Sequence, residues 1–157
     1  MTEPVTETEL SNESFFAGLP STALSFLAAS ASRRTVRPSE VLFKHSATAD
    51  RFYLLCTGTI SVEVAAIEGP PLQLQQLGPG AILGWSWLIP PYTWHFQARA
   101  EADGAVLEFD GSTILAHSEA DTGFGYELLK RFSGLMSRRL EYAREQMMAE
   151  WQPPGFA

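Results

Sequence analysis

The chain has only one cysteine, Cys56, in 157 residues. An intramolecular disulfide is therefore impossible, a thiolate metal cluster cannot be assembled from one copy, and Cys56 is expected to pack within a strand. Positive charge is also scarce, with 11 Lys and Arg against 18 Asp and Glu and a formal net charge of −7. That balance opposes the capture of phosphate backbones on which nucleic-acid binding depends, so no direct DNA binding is expected. Long apolar runs are missing too, because the longest candidates are broken by Ser, Gly or Pro before they reach the length of a membrane span. Met1 to Ser14 carries Glu3, Glu7, Glu9 and Glu13 without a Lys or Arg, the wrong charge for a signal peptide. A soluble, cytoplasmic protein that begins with a disordered acidic lead-in over residues 1–13 is the expectation. Its three histidines, His45, His95 and His117, fall in different elements, and no two stand one residue apart on a strand as a cupin-type metal site would begin, so no metal site is expected. No nucleophile elbow or local acid–base arrangement is present either, which leaves an enzyme without a catalytic residue.

What is present reads as one folded domain. Hydrophobic residues make up 45% and charged residues 18%, and the length supports one sizeable core with little room for a second. Phe15 and Phe16 lie in a short apolar turn closed by Gly18, and Pro20 suits the start of a helix from Ser21 to Ala31. From Arg33 the pattern alternates, with strands expected at Arg33–Arg37, Val41–Lys44, Phe52–Cys56, Thr59–Ala66, Leu72–Leu77, Trp94–Glu101 and Ala105–Asp110. Thr57-Gly58, Glu68-Gly69-Pro70-Pro71 and Gly78-Pro79-Gly80 punctuate the strands, and Asp103-Gly104 reads as the hairpin turn joining the last two. The fold class is mainly β with flanking helices: an eight-stranded jelly roll, a double-stranded β-helix of the cupin-like barrel kind, over residues 14–120.

A short helix is expected around Ser112 to His117, then a long one from about Thr122 to Glu150. Apolar residues recur along the long helix every three or four positions, among them Leu129, Phe132, Met136, Leu140 and Met147. At 1.5 Å per residue it runs about 40 Å, longer than a small barrel can cover. Residues 121–151 are therefore expected to pair with a second copy, those five residues forming a homodimer seam, although packing against its own barrel is the other reading. Lys130, Arg131, Arg138, Arg139 and Arg144 alternate with acidic residues and read as a solvated face. The tail, 152–157, holds two prolines that stop the helix, and no DNA-binding domain is expected beyond it.

Two segments carry a family resemblance. Val41-Leu42-Phe43-Lys44-His45 followed by Ala49-Asp50-Arg51-Phe52-Tyr53-Leu54-Leu55-Cys56-Thr57-Gly58 resembles the strand, turn and Gly-ended strand of the cyclic-nucleotide-binding domains of the cyclic-AMP receptor protein family. Leu77-Gly78-Pro79-Gly80-Ala81-Ile82-Leu83-Gly84 resembles the start of that family's phosphate-binding cassette. The resemblance implies a short helix whose N–H groups meet a cyclic phosphate, an Arg that neutralises it and a Glu that accepts from the ribose hydroxyl. Here Trp85 follows Gly84 where the Glu is expected, Trp94 stands in the Arg position, and His95 replaces its Ser or Thr neighbour. Arg99 is the only nearby substitute, but strand alternation puts it on the face opposite Trp94. Each lost charge-assisted contact costs about 1.5–3 kcal/mol, so the resemblance implies weak binding of ordinary cyclic AMP.

What remains of the cassette is Gly84, Trp85, Ser86, Trp87, Trp94 and His95, beside Pro90, Pro91 and Tyr92. One reading is a non-catalytic regulatory or sensor domain whose aromatic-lined site takes a ligand other than cyclic AMP. Another is a ligandless interaction or assembly subunit with indoles plugging the pocket and Pro90, Pro91 and Tyr92 docking a larger protein. No cofactor is expected. The resemblance does admit haem, since some members of the family bind it through an axial His, and His95 or His45 would then be the ligand.

Overall fold

The structure is a computed structural model that describes residues 3–151; the expected tail at 152–157 lies outside the described residues. Its elements run α1 (Glu7–Ser11), α2 (Ser21–Ala29), β1 (Ala31–Val36), β2 (Val41–Phe43), β3 (Arg51–Thr57), β4 (Ile60–Val64), β5 (Leu72–Leu77), β6 (Ile82–Leu83), β7 (Gln97–Ala100), β8 (Gly104–Asp110), α3 (Gly111–Ala120) and α4 (Thr122–Glu150). The eight strands form two four-stranded antiparallel sheets, β1-β8-β3-β6 and β2-β7-β4-β5. This is a jelly-roll-like sandwich, and the two sheets do not join into a closed barrel among the described residues.

β3 explains why its sequence is apolar on consecutive positions rather than alternating. Tyr53 and Leu55 turn into the space between the sheets, with Ile60, Leu83, Ala98 and Val106. Phe52 and Leu54 turn outward to a second core made with the helices, where they meet Phe16, Phe109, Leu128 and Phe132. A strand covered on both faces loses the polar half of its pattern.

Two expectations are corrected. Asp103-Gly104 is not a hairpin turn: β7 pairs with β2 and β4, whereas β8 pairs with β1 and β3, so the chain crosses there from one sheet to the other. The crossing brings backbones so close that a Cβ on Gly104 would stand 2.2 Å from the Thr57 carbonyl oxygen. The acidic lead-in is also structured from residue 3. Thr6 caps α1 by accepting from the Glu9 N–H at 3.1 Å, Leu10 is fully buried, and Arg33 of β1 donates to Glu9 at 2.8 Å. A hydrogen bond from Arg33 holds the Glu9 carboxyl below its ordinary range, although partial burial opposes this.

At the other end, Asp110 and Asp121 accept from the Thr113 and Phe124 N–H groups and cap α3 and α4. The first half of α4 lies on the outer core through Phe124, Leu128, Phe132 and Leu135. Its far half runs beyond the outer core, with residues 140–151 exposed throughout.

Candidate functional site

Strands β4 and β5, the turn after β6 and the middle of α4 frame a cavity of about 260 Å³. Phe43, Val62, Trp85, Trp94 and Phe96 line it from the sheet side, and Met136, Arg139, Leu140 and Ala143 from α4. The volume lies just under the range of roughly 300–1,000 Å³ typical of small-molecule sites.

The turn after β6 is held by its glycine. Gly84 has φ +94°, and a Cβ there would lie 2.6 Å from Cη2 of Trp94, so both the backbone and the space demand glycine. The helix expected to open at Gly84 does not form. The segment is a single turn, closed by a hydrogen bond from the Leu88 N–H to the Trp85 carbonyl at 3.0 Å. It offers no helix dipole to an anion.

The three indoles of the segment have separate fates. Trp87 belongs to the outer core, stacked on Phe52 at 5.2 Å and edge-on to Phe132, with its Nε1–H donating to the Gly84 carbonyl. Trp94 is buried at the cavity wall and stacks on Phe43 with ring centres 3.8 Å apart and planes at 15°. Its backbone is fastened by Trp94 N–H to Ala47 O at 2.9 Å and Ser46 N–H to Trp94 O at 2.8 Å. Trp85 is half-buried and faces α4, where the Arg139 guanidinium carbon lies 5.3 Å from its ring centre. Ser86 is buried beside it on the cavity lining.

The remaining expected site residues lie outside the cavity. His95 is exposed and absent from the lining; His45 is exposed and its Nδ1 pairs with the Ser46 hydroxyl at 2.8 Å. Pro90 and Pro91 are exposed on the loop and Tyr92 is half-buried. Arg99 is absent from the cavity lining and its Nε–H donates to Glu63 at 3.2 Å; the strand expected from Trp94 begins only at Gln97, so Trp94 and Arg99 do not share one alternating strand.

Of the five residues expected in a dimer seam, Phe132 is fully buried in its own chain's core and Met136 lines the cavity. Leu129 and Met147 remain exposed, as does Leu140, which also borders the cavity. The expected solvated basic face is corrected in the same way. Arg131 turns inward to donate to the Phe15 carbonyl at 2.8 Å, and Arg139 turns onto the cavity and donates to the Ile82 carbonyl. Arg139 has no carboxylate within ion-pair distance among the described residues. Burial pushes its pKa down to about 10, with the neighbouring Arg138 charge adding to the effect. Sequence reading grouped Arg139 with the solvated charges; its spacing of three from Met136 and four from Ala143, both on the apolar stripe, was the available signal.

Cys56 is half-buried, and burial raises its thiol pKa, the opposite of what an activated nucleophile needs. No helix among the described residues is long and apolar enough to cross a membrane.

A family model for the cyclic nucleotide-binding domain matches residues 33–121, more than half of the chain. Among solved structures, the chain is similar to a protein of Geobacter metallireducens GS-15 provisionally described as a cyclic nucleotide-binding protein, at 27% identity and a TM-score of 0.78, covering 89% of this chain and 99% of that one. It is also similar to a cyclic nucleotide-binding domain from Methylobacillus flagellatus KT at 14% identity and a TM-score of 0.77, covering 93% and 82%. The catabolite activator protein of Thermus thermophilus matches at 21% identity and a TM-score of 0.68, covering 86% of this chain and 62% of that one. At the last two identities the likeness is one of fold. A search of curated proteins found no match.

Proposed function

We propose that this chain, which belongs to the cyclic nucleotide-binding domain family, is a non-catalytic regulatory domain whose cavity takes a ligand other than ordinary cyclic AMP. The observation that carries this reading is the packing of Trp94 on Gly84, beside a cavity that stays open. An Arg from the Trp94 position and a Glu from the Trp85 position would grip a cyclic phosphate and a ribose. Two indoles instead offer flat apolar walls. The charge-assisted contacts they replace are worth about 1.5–3 kcal/mol each, or tenfold and more in affinity.

Regulation would run through α4. Leu140 borders the cavity and is 73% exposed, and Met147 and Trp151 extend the exposed apolar line at 71% and 63%. Spacings of three and four from Met136 through Leu140 and Ala143 to Met147 suit a helix pair formed with a second copy. A ligand contacting Met136 and Leu140 would then shift the balance between two arrangements of that pair. The net charge of −7 argues against direct contact with DNA.

Isothermal titration with cyclic AMP and cyclic GMP tests the ligand reading. We expect no binding in the micromolar range, and micromolar or tighter binding of either would overturn it. A second reading, a ligandless assembly subunit, is favoured by the exposed Ile89-Pro90-Pro91 stretch on the loop next to the indoles. Native mass spectrometry of the protein as isolated separates the two, because a small molecule retained at one per chain contradicts the ligandless subunit.

A further inference from the structure

The cavity is apolar on nearly every side, yet one cation reaches it. Arg139 comes from α4, a different element from the strand that the family resemblance makes the source of positive charge. Its guanidinium stands over the Trp85 ring, and its one hydrogen bond among the described residues goes to a backbone carbonyl, that of Ile82. An unpaired charge half-withdrawn from water costs stability, and structural arginines in such places ordinarily have a carboxylate partner. None of the seven ion pairs among the described residues includes Arg139.

The remaining walls restrict what could supply the missing charge. Trp94 and Phe43 form a stacked pair, Trp85 and Phe96 add two more aromatic surfaces, and Met136 adds a pliable thioether. A hydrated inorganic anion would leave these surfaces unused, while a neutral hydrocarbon would leave the guanidinium unpaired. A planar ring system bearing one carboxylate satisfies both, with the ring among Trp85, Trp94 and Phe96 and the carboxylate on the fork of Arg139.

We infer that the cavity is a binding site for a flat aromatic monocarboxylate of about two fused rings, with Arg139 as its counter-ion and the Trp85–Trp94 walls as its stacking surfaces. The inference rests on the reading of the cavity as a ligand site and names the ligand class. It also accounts for the position of Arg139 at the level of Met136 and Leu140 on the cavity lining.

The test is a titration of the full chain with 2-naphthoate, indole-3-acetate and quinaldate, each beside its neutral amide, read by calorimetry and by quenching of tryptophan fluorescence. We expect at least one carboxylate to bind in the micromolar range and at least tenfold more tightly than its amide. Arg139→Met should erase that preference, leaving acid and amide equal, whereas Arg139→Lys should keep part of it. A circular dichroism melt confirms that each variant is folded. The inference is overturned if acid and amide bind wild type equally, if no carboxylate binds, or if folded Arg139→Met retains the preference. Cyclic AMP in a parallel titration keeps the two conclusions apart: its tight binding refutes the functional reading, while failure of the carboxylates alone refutes only the ligand class.

Discussion

The six-membered ring of Trp94 occupies the place a side chain on Gly84 would need, with Cη2 and Cζ3 lying 2.6 and 2.7 Å from the position of a Cβ there. The contact joins the turn after β6 to the segment leading into β7. It fixes one wall of the cavity, so changes at either residue should be felt at both.

Gly84→Ala should destabilise the fold by about 1–3 kcal/mol, because it adds both left-handed strain at φ +94° and a clash with the indole. Combining it with Trp94→Ala should remove the clash but not the strain, giving a double-mutant loss smaller than the sum of the two singles. Urea denaturation of the four proteins measures this, and strict additivity would show that the two residues are not coupled.

Arg139→Met should make the ligand-free protein more stable at pH 7.5, by about 1–3 kcal/mol, since it removes a cation withdrawn from water without a carboxylate partner. The sign follows from the lowered pKa of Arg139, about 10 in the fold. The guanidinium keeps its charge across the accessible pH range, so the cost is present throughout it. A lower denaturation midpoint for folded Arg139→Met would show that the guanidinium is structural.

Glu9 predicts an acid sensitivity. Its carboxyl is held below its ordinary range chiefly by the hydrogen bond from Arg33, so this contribution is present above about pH 4.5 and is lost as pH falls through the lower folded value. Both side chains are roughly 30% exposed, which limits the pair to about 0.2–1 kcal/mol. Glu9→Gln should lower stability at pH 7 by that amount and flatten its decline between pH 5 and pH 3. Thermal melts across that range check it, and an unchanged slope would assign the decline to other carboxylates.

Met147→Glu should dissociate the proposed helix pair while leaving the cavity intact, because Met147 is 71% exposed and lies one turn beyond the last α4 residue lining the cavity. Light scattering should report twice 17.3 kDa for the wild type and 17.3 kDa for the variant. A wild type that runs as a monomer would remove the second copy from the proposed mechanism.

Much of the fold was legible because local chemistry dictates it. Leu72–Leu77 and Thr122–Glu150 were readable from periodicity and turn residues, and both stand in the structure with those bounds. Trp94 lines the cavity and Arg99 does not, but alternation along one strand is not the reason, since β7 begins only at Gln97 and Trp94 lies in the segment before it. The pairing of β8 with β1 and β3 instead of β7 was not legible, since a Gly after an Asp looks the same in a hairpin and in a crossing between sheets. The helix α1 was missed for a related reason: its anchors are one buried leucine and an arginine 24 residues away.

The sequence by itself determined seven of the eight strands, most of their punctuation, the long helix, the placement of tryptophan at positions 85 and 94, and the exclusion of an intramolecular disulfide. These depend on composition, on a repeat of two or of 3.6, and on glycine's tolerance of positive φ, all of which are local. Only the tertiary structure decided that Trp87 belongs to the core, that Trp94 closes on Gly84, and that Arg139 alone among the basic residues of α4 meets the cavity. Alternation says which side of its own element a residue takes, but whether that side meets water, a core or a cavity depends on how the helix is rolled against two sheets. That roll is set by Phe124, Leu128, Phe132 and Leu135 packing on partners distant in sequence.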